Sequence, residues 1–65
     1  MTPEQTLRNE AARFGFESEV MRAYHQNIAA YGGNPSMGDV YLAIYAAAQE
    51  LDRLVEQTGK SLVTH

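Results

Sequence analysis

The sequence predicts an all-α fold, a small domain of three helices at about residues 3–14, 18–31 and 36–58. Apolar residues recur at intervals of three and four along each segment, which is the spacing of one helix face. Glycine at position 15 and the run Gly32-Gly33-Asn34-Pro35 separate the segments, and both are typical of helix ends. The third segment is the longest, and it predicts a long amphipathic helix.

A chain of 65 residues without cysteine has a small core and no disulfide to support it. We therefore expect one helical domain over residues 1–59, followed by a short mobile tail over residues 60–65. The start of the chain has no basic, apolar signal segment, and no apolar run approaches the ~20 residues that span a membrane. These observations favour a complete, cytoplasmic protein with no membrane association.

The first helix has signals at both ends. Thr2 suits the N-cap, Pro3 suits the first helical position, and Gln5 completes a capping-box pattern. Gly15 suits the left-handed residue that ends a helix, with Phe16 folding back onto the last turn. The predicted apolar face consists of Leu7, Ala11 and Phe14.

The second helix is expected to begin with Ser18 as its N-cap and to end before the glycine pair. Asn27 lies on its apolar side, where we expect the side chain to sit at the core edge and reach water or a tyrosine hydroxyl. If fully buried, it would instead fix register or oligomeric state. The apolar side consists of Val20, Ala23, Tyr24, Ile28 and Tyr31.

The third helix is predicted to start at Ser36, with Asp39 in the capping-box position. Its main apolar stripe is broad enough to pack on two neighbouring helices. The stripe also fits three heptads, so the sequence permits a dimeric coiled coil as well. We expect it to form one face of the bundle core. The stripe consists of Met37, Val40, Tyr41, Ile44, Ala47, Ala48, Leu51, Leu54 and Val55.

A second apolar sector occupies the first half of this helix. No charged residue interrupts the nine positions 40–48, so the helix is apolar nearly all round here. A helix of this kind is normally buried on every side. Either the first helix lies across the sector, or another chain covers it. The candidate protein-interface residues are Tyr41, Leu42, Tyr45 and Ala46.

Charge argues against nucleic acid as a partner. The net charge is −3, and the five basic residues are spread along the chain among carboxylates. Binding to nucleic acid rests largely on clustered Lys and Arg side chains. A helix-turn-helix around the glycine pair remains an alternative, but its recognition helix would present Tyr41 and Leu42 where polar and basic groups are required.

The sequence contains no arrangement typical of catalysis, a cofactor site or a metal site. Neither His25 nor His65 has a histidine or carboxylate four residues away, as a helical metal site would require. The carboxylate pairs Glu17/Glu19 and Asp52/Glu56 are more typical of a helix start and a solvated helix face. We predict no enzyme activity and no cofactor.

The tripeptide Phe14-Gly15-Phe16 resembles the first loop of the ubiquitin-associated domain, which commonly reads Met-Gly-Phe. The resemblance extends over roughly residues 7–45. It implies a three-helix module that contacts ubiquitin through this loop and the third helix. The sequence departs from the family in having Phe14 in place of methionine and a longer stretch from Ala23 to Val40.

Together these patterns predict a non-enzymatic protein-binding protein. It would act as a small acidic helical adaptor, inhibitor or anti-activator, by analogy with microbial and phage regulators. The partner would be either a protein whose identity the sequence does not give or a second copy, forming a homodimer. A ubiquitin-associated-like recognition module is the alternative, followed by the helix-turn-helix.

Overall fold

The computed structural model describes residues 2–58 and contains three α-helices in this range, with no strand. They are α1 (Pro3–Arg13), α2 (Glu17–Ala29) and α3 (Met37–Thr58). The predicted all-α three-helix fold is confirmed. The predicted tail over residues 60–65 lies outside the described residues.

The predicted cap residues of α1 are confirmed, but the helix ends one residue before the predicted end, and the Gln5 side chain does not complete the predicted capping box. The Thr2 hydroxyl accepts a hydrogen bond from the Gln5 N–H at 3.1 Å. At the other end Gly15 has φ of +81°, the left-handed conformation that glycine adopts without a Cβ penalty. The Phe16 N–H donates to the Ala11 carbonyl at 3.0 Å, which reverses the chain immediately after the helix.

α2 begins one residue earlier than predicted, and Ser18 as its N-cap is wrong. The turn that closes α1 also starts α2, because the Phe16 carbonyl accepts a hydrogen bond from the Val20 N–H at 3.0 Å. Ser18 is therefore already inside the first turn. The carboxylates of Glu17 and Glu19 lie in that turn, where they complement the positive end of the helix dipole.

α2 ends at Ala29, two residues before the predicted end, because its last backbone bonds have the tighter i to i−3 form. α3 starts as predicted. The Ser36 hydroxyl accepts from the Asp39 N–H at 3.1 Å, and the Asp39 carboxylate accepts from the Ser36 N–H at 3.1 Å. This reciprocal capping box satisfies two of the backbone donors that a helix start leaves open.

The core lies between the three helices, and α2 makes its most extensive contact with α3. Each helix contributes buried apolar side chains, and Phe16 from the first turn closes one end. Within residues 2–58 no buried side-chain nitrogen or oxygen lacks a hydrogen-bond partner. The buried residues are Leu7, Ala11, Phe16, Val20, Met21, Tyr24, Ala43, Ala47 and Leu51.

The buried face of α3 differs from the predicted stripe. Ala43, which the prediction left out, is 1% exposed, whereas Met37 and Tyr41 are 59% and 55% exposed. Placing Met37 and Tyr41 in the core was therefore wrong. Small side chains at Ala43 and Ala47 permit the close approach of a neighbouring helix, which a tyrosine on that face would prevent.

The apolar face of α2 also needs two corrections. Met21, absent from the predicted face, is buried, while Tyr31 lies beyond the helix and is 41% exposed. Asn27 is half-buried as expected, and its side-chain amide donates to the Ala23 carbonyl at 2.8 Å. This local bond satisfies the amide within its own helix.

Candidate functional site

The first half of α3 presents an exposed aromatic and apolar cluster to solvent. Leu42 is 56% exposed and Tyr45 is 64% exposed, so α1 does not lie across them. Tyr41 joins them at 55% exposure. The three residues are spaced by one, three and four positions, which places their side chains on one side of a single helical turn. We call Tyr41, Leu42 and Tyr45 the outer patch.

Ala46, the fourth predicted interface residue, does not belong to this patch. It is half-buried in a shallow groove between α2 and α3, beside Ala23 and Asn27. Ala46 is one helical turn from Leu42. Its side chain lies on the side of α3 that faces α2, away from those of Tyr41 and Tyr45. The structure thus brings together three of the four predicted residues.

The outer patch is large for so small a protein. With side-chain areas of 150–250 Å² for aromatic residues, the three side chains and neighbouring Met37 expose roughly 400 Å² in total. That area is similar to the largest apolar patch on a typical monomeric protein, which is often functional. Single exposed apolar residues are common and need no explanation, so the contiguity of these side chains is the observation that matters.

A second surface, which we call the acidic groove, runs between α1 and α3. Its floor is apolar and includes Leu7, Ala48 and Val55. Three carboxylates line it: Glu10 from α1, and Asp52 and Glu56 from α3. This section of the open groove has a volume of about 380 Å³. The remaining residues of this section are Phe14 and Leu51.

The acidic groove continues toward the start of α1 and meets the outer patch. Leu7, Glu10 and Ala48 also line this second section, which extends to Pro3, Thr6, Ile44 and Tyr41. Tyr41 therefore belongs to both surfaces. Sequence reasoning missed the groove. Asp52 and Glu56 share a face of α3, which was visible in the sequence, but the position of α1 beside them was not.

Most arginines of the described chain are engaged with carboxylates. Arg8 bridges Glu4 at 3.6 Å and Glu17 at 3.5 Å. Arg53 makes two hydrogen bonds to Glu50, and these bonds hold the pKa of that carboxyl below its usual value. Such exposed pairs contribute little to stability, but they leave α3 without an unpaired basic group among the described residues.

The residues considered for chemistry do not converge. His25 is exposed, and its ring lies edge-on to Tyr24 with 5.3 Å between centroids. Within residues 2–58 no three His, Asp or Glu side chains are grouped so that they could hold a metal ion. His65 lies outside the described residues. The Glu17/Glu19 and Asp52/Glu56 pairs lie at the start of α2 and on the groove.

The loop that resembles the ubiquitin-associated domain is only partly accessible. Gly15 is exposed and in the left-handed conformation, but Phe16 is buried in the core and Phe14 is half-buried against the acidic groove. Phe16 could not contact a partner without leaving the core.

Comparison with protein-family models, curated proteins and solved structures gives no match to this chain. In the part of the chain that the structure describes, no helix combines the length and the apolar character that crossing a bilayer requires.

Proposed function

We propose that this chain is a non-enzymatic protein-binding protein that uses the outer patch of α3 to contact another protein molecule. One observation carries the proposal: Tyr41, Leu42 and Tyr45 are each more than half exposed, although the core is already formed by other residues. The exposed parts of these three side chains contribute nothing to folding. Tyrosine in particular is enriched where proteins meet, because it combines a rigid apolar ring with one polar end.

The area of the outer patch limits how stable a complex the patch can form by itself. Burying the outer patch and neighbouring Met37, roughly 400 Å² on each side, removes about 800 Å² in total, below the ~1,200–2,000 Å² of a standard stable interface. The patch alone therefore gives a weak or transient contact, and a tighter complex requires the surface beside it. This fits a small cytoplasmic adaptor, inhibitor or anti-activator whose binding is reversible.

A second copy of the chain is one occupant that the patch would accept. In a twofold dimer the two patches would face each other, and the neutral residues 40–48 would bring no like charges together. We therefore include a weak homodimer in the proposal. Sedimentation at increasing concentration measures it directly, since a weak dimer would appear only at the higher concentrations.

The deciding experiment compares capture by the wild-type chain and by two variants. L42A/Y45A removes most of the patch, while Q49A shortens a neighbouring exposed side chain and is the matched control. Immobilised wild type and Q49A should retain the same proteins from a lysate of the source cell, and L42A/Y45A should lose them. Equal retention by all three would contradict the proposal. Immobilised ubiquitin serves as a separate arm for the ubiquitin-associated alternative.

A further inference from the structure

We infer that the acidic groove between α1 and α3 binds a basic amphipathic helix of a partner protein. This inference deepens the proposed function, because it gives the chemistry of a partner that could lie beside the outer patch. Three features carry it: the apolar floor, the carboxylates along it, and the continuity with Tyr41.

The shape of the groove suits a helix. Along α3 it runs from Tyr41 to Glu56, a distance of about 22 Å at the 1.5 Å rise of an α-helix. A partner helix of about 15 residues would match this length. Leu7, Ala48 and Val55 would receive its apolar side chains at the i, i+3, i+4 and i+7 spacing of helix-in-groove recognition.

The charge of the groove selects a basic partner. Its two sections are lined by Glu10, Asp52 and Glu56, and no Lys or Arg lines either section. Only Glu10 has an ion-pair partner, Arg13 at 3.4 Å, whereas Asp52 and Glu56 form no ion pair in the described chain. Lysine or arginine side chains can lie along an apolar floor and place their charged ends on such carboxylates.

The same charges disfavour the other occupants. A second copy would bring eight carboxylates against five basic groups, and Arg8, Arg13 and Arg53 are already paired. An anionic lipid surface or a nucleic acid would be repelled by the carboxylates. The acidic groove and the outer patch thus differ in selectivity, since the patch is neutral and accepts a second copy.

The test uses synthetic helical peptides as probes of the full chain. The first contains Leu, Ala and Lys, with leucines at helix-face spacing and lysines on the flanks. The second has Glu in place of Lys, and the third keeps the first composition but scrambles the leucine spacing. Fluorescence anisotropy gives the affinities. We expect the first peptide to bind at least about ten-fold more tightly than either control peptide at low salt.

Two double variants remove the same charge from different places. D52N/E56Q neutralises the α3 side of the groove, and E17Q/E19Q neutralises the start of α2, which does not line it. D52N/E56Q should weaken the basic peptide about five-fold or more at ~0.02 M salt, with a smaller loss at ~0.5 M. E17Q/E19Q should weaken it less than about two-fold. E10Q, on α1, repeats the test if D52N/E56Q is poorly folded.

Three outcomes would overturn the inference. Equal affinity for the basic and scrambled peptides would indicate general charge attraction, and equal losses in the two double variants would indicate an effect of net charge alone. Peptide-induced amide shifts confined to residues around Leu42 and Tyr45 would place the probe on the outer patch. The proposed function is tested separately by L42A/Y45A. Because this variant leaves Asp52 and Glu56 unchanged, loss of binding by the outer patch can be distinguished from loss of binding by the acidic groove.

Discussion

Over its first half, α3 carries small buried apolar residues on its inward face and large ones on its outward face. The inward face contains Ala43 and Ala47, which are 1% and 0% exposed, and the outward face contains Tyr41, Leu42 and Tyr45, which are each more than half exposed. A protein that needed these residues only for folding would place the large side chains inside, where each buried one contributes about 1.5–3 kcal/mol. The difference supports the proposal that the outward face binds another molecule.

The largest expected effect comes from the inward face. Leu51 is 6% exposed and packs in the core, so Leu51→Ala should lower the free energy of unfolding by about 2–5 kcal/mol. For a domain of this size that loss approaches the total stability. Circular dichroism melts would show a strongly lowered midpoint or an unfolded chain. A midpoint within a few degrees of wild type would mean that Leu51 contributes little to the core.

The alanines of the inward face provide a converse test. Ala47 is fully buried where α3 meets its neighbours, so Ala47→Leu should lower the free energy of unfolding by about 1–3 kcal/mol through overpacking. Ala12→Leu makes the same change at an exposed position of α1 and should change stability by less than ~0.5 kcal/mol. Chemical denaturation measures both. Tolerance of leucine at Ala47 would mean that the close helix approach is not required.

The outward face should show the reverse behaviour. Leu42→Ala and Tyr45→Ala should change the unfolding free energy of the monomer by less than ~0.5 kcal/mol, yet weaken association by more than ~1 kcal/mol. Melts at several protein concentrations, together with sedimentation or partner binding, separate the two quantities. A concentration-independent loss as large as that of Leu51→Ala would show that these side chains stabilise the monomer, and the outer patch would lose its main support.

The smallest effect concerns Tyr24, which faces the core from α2. Burial raises the pKa of Tyr24 above its usual value, and the charge of Glu4 adds to the rise. The folded chain holds this proton more tightly than the unfolded chain does. Stability is therefore unaffected by this group below about pH 10, the unfolded value, and falls as the pH rises through the folded-state pKa.

Urea unfolding of wild type and Tyr24→Phe between neutral pH and pH 11 checks this sign. Wild type should lose more stability than Tyr24→Phe above about pH 10, by at most ~1.4 kcal/mol per pH unit. Because all other titrating groups are shared, the difference between the two chains isolates Tyr24. Parallel profiles would mean that burial does not affect its ionisation.

Local chemistry made the helix ends predictable. Thr2 with Gln5, Gly15 with Phe16, and Ser36 with Asp39 each specify a backbone conformation through bonds between near neighbours. The error at Ser18 arose where two such signals overlapped, because the Gly15 turn already supplied the start of α2. A sequence pattern cannot show that one turn both ends a helix and begins the next.

The rotational position of α3 was less predictable than its ends. The observed buried face is turned by roughly 60° from the predicted stripe, toward Ala43 and away from Tyr41. Alanine occurs on both the buried and the exposed faces of helices. A prediction weighted toward large apolar residues therefore placed Tyr41 on the buried face. Leu42 and Tyr45 are exposed, which excludes the alternative that α1 covers them. The acidic groove depends on the position of α1, which no local pattern contains.

The turn at Gly15 also bears on how quickly the chain folds. It joins α1 to α2 through only three residues, so closing this loop costs little entropy. The seven residues before α3 are also few, and helical bundles with such near-neighbour packing fold in about microseconds to milliseconds. A newly unfolded chain therefore has little time in which its apolar segments meet those of another molecule. The chain keeps two tyrosines and a leucine of the outer patch on its surface. Rapid closure of the α1–α2 hairpin helps to protect such a chain against aggregation.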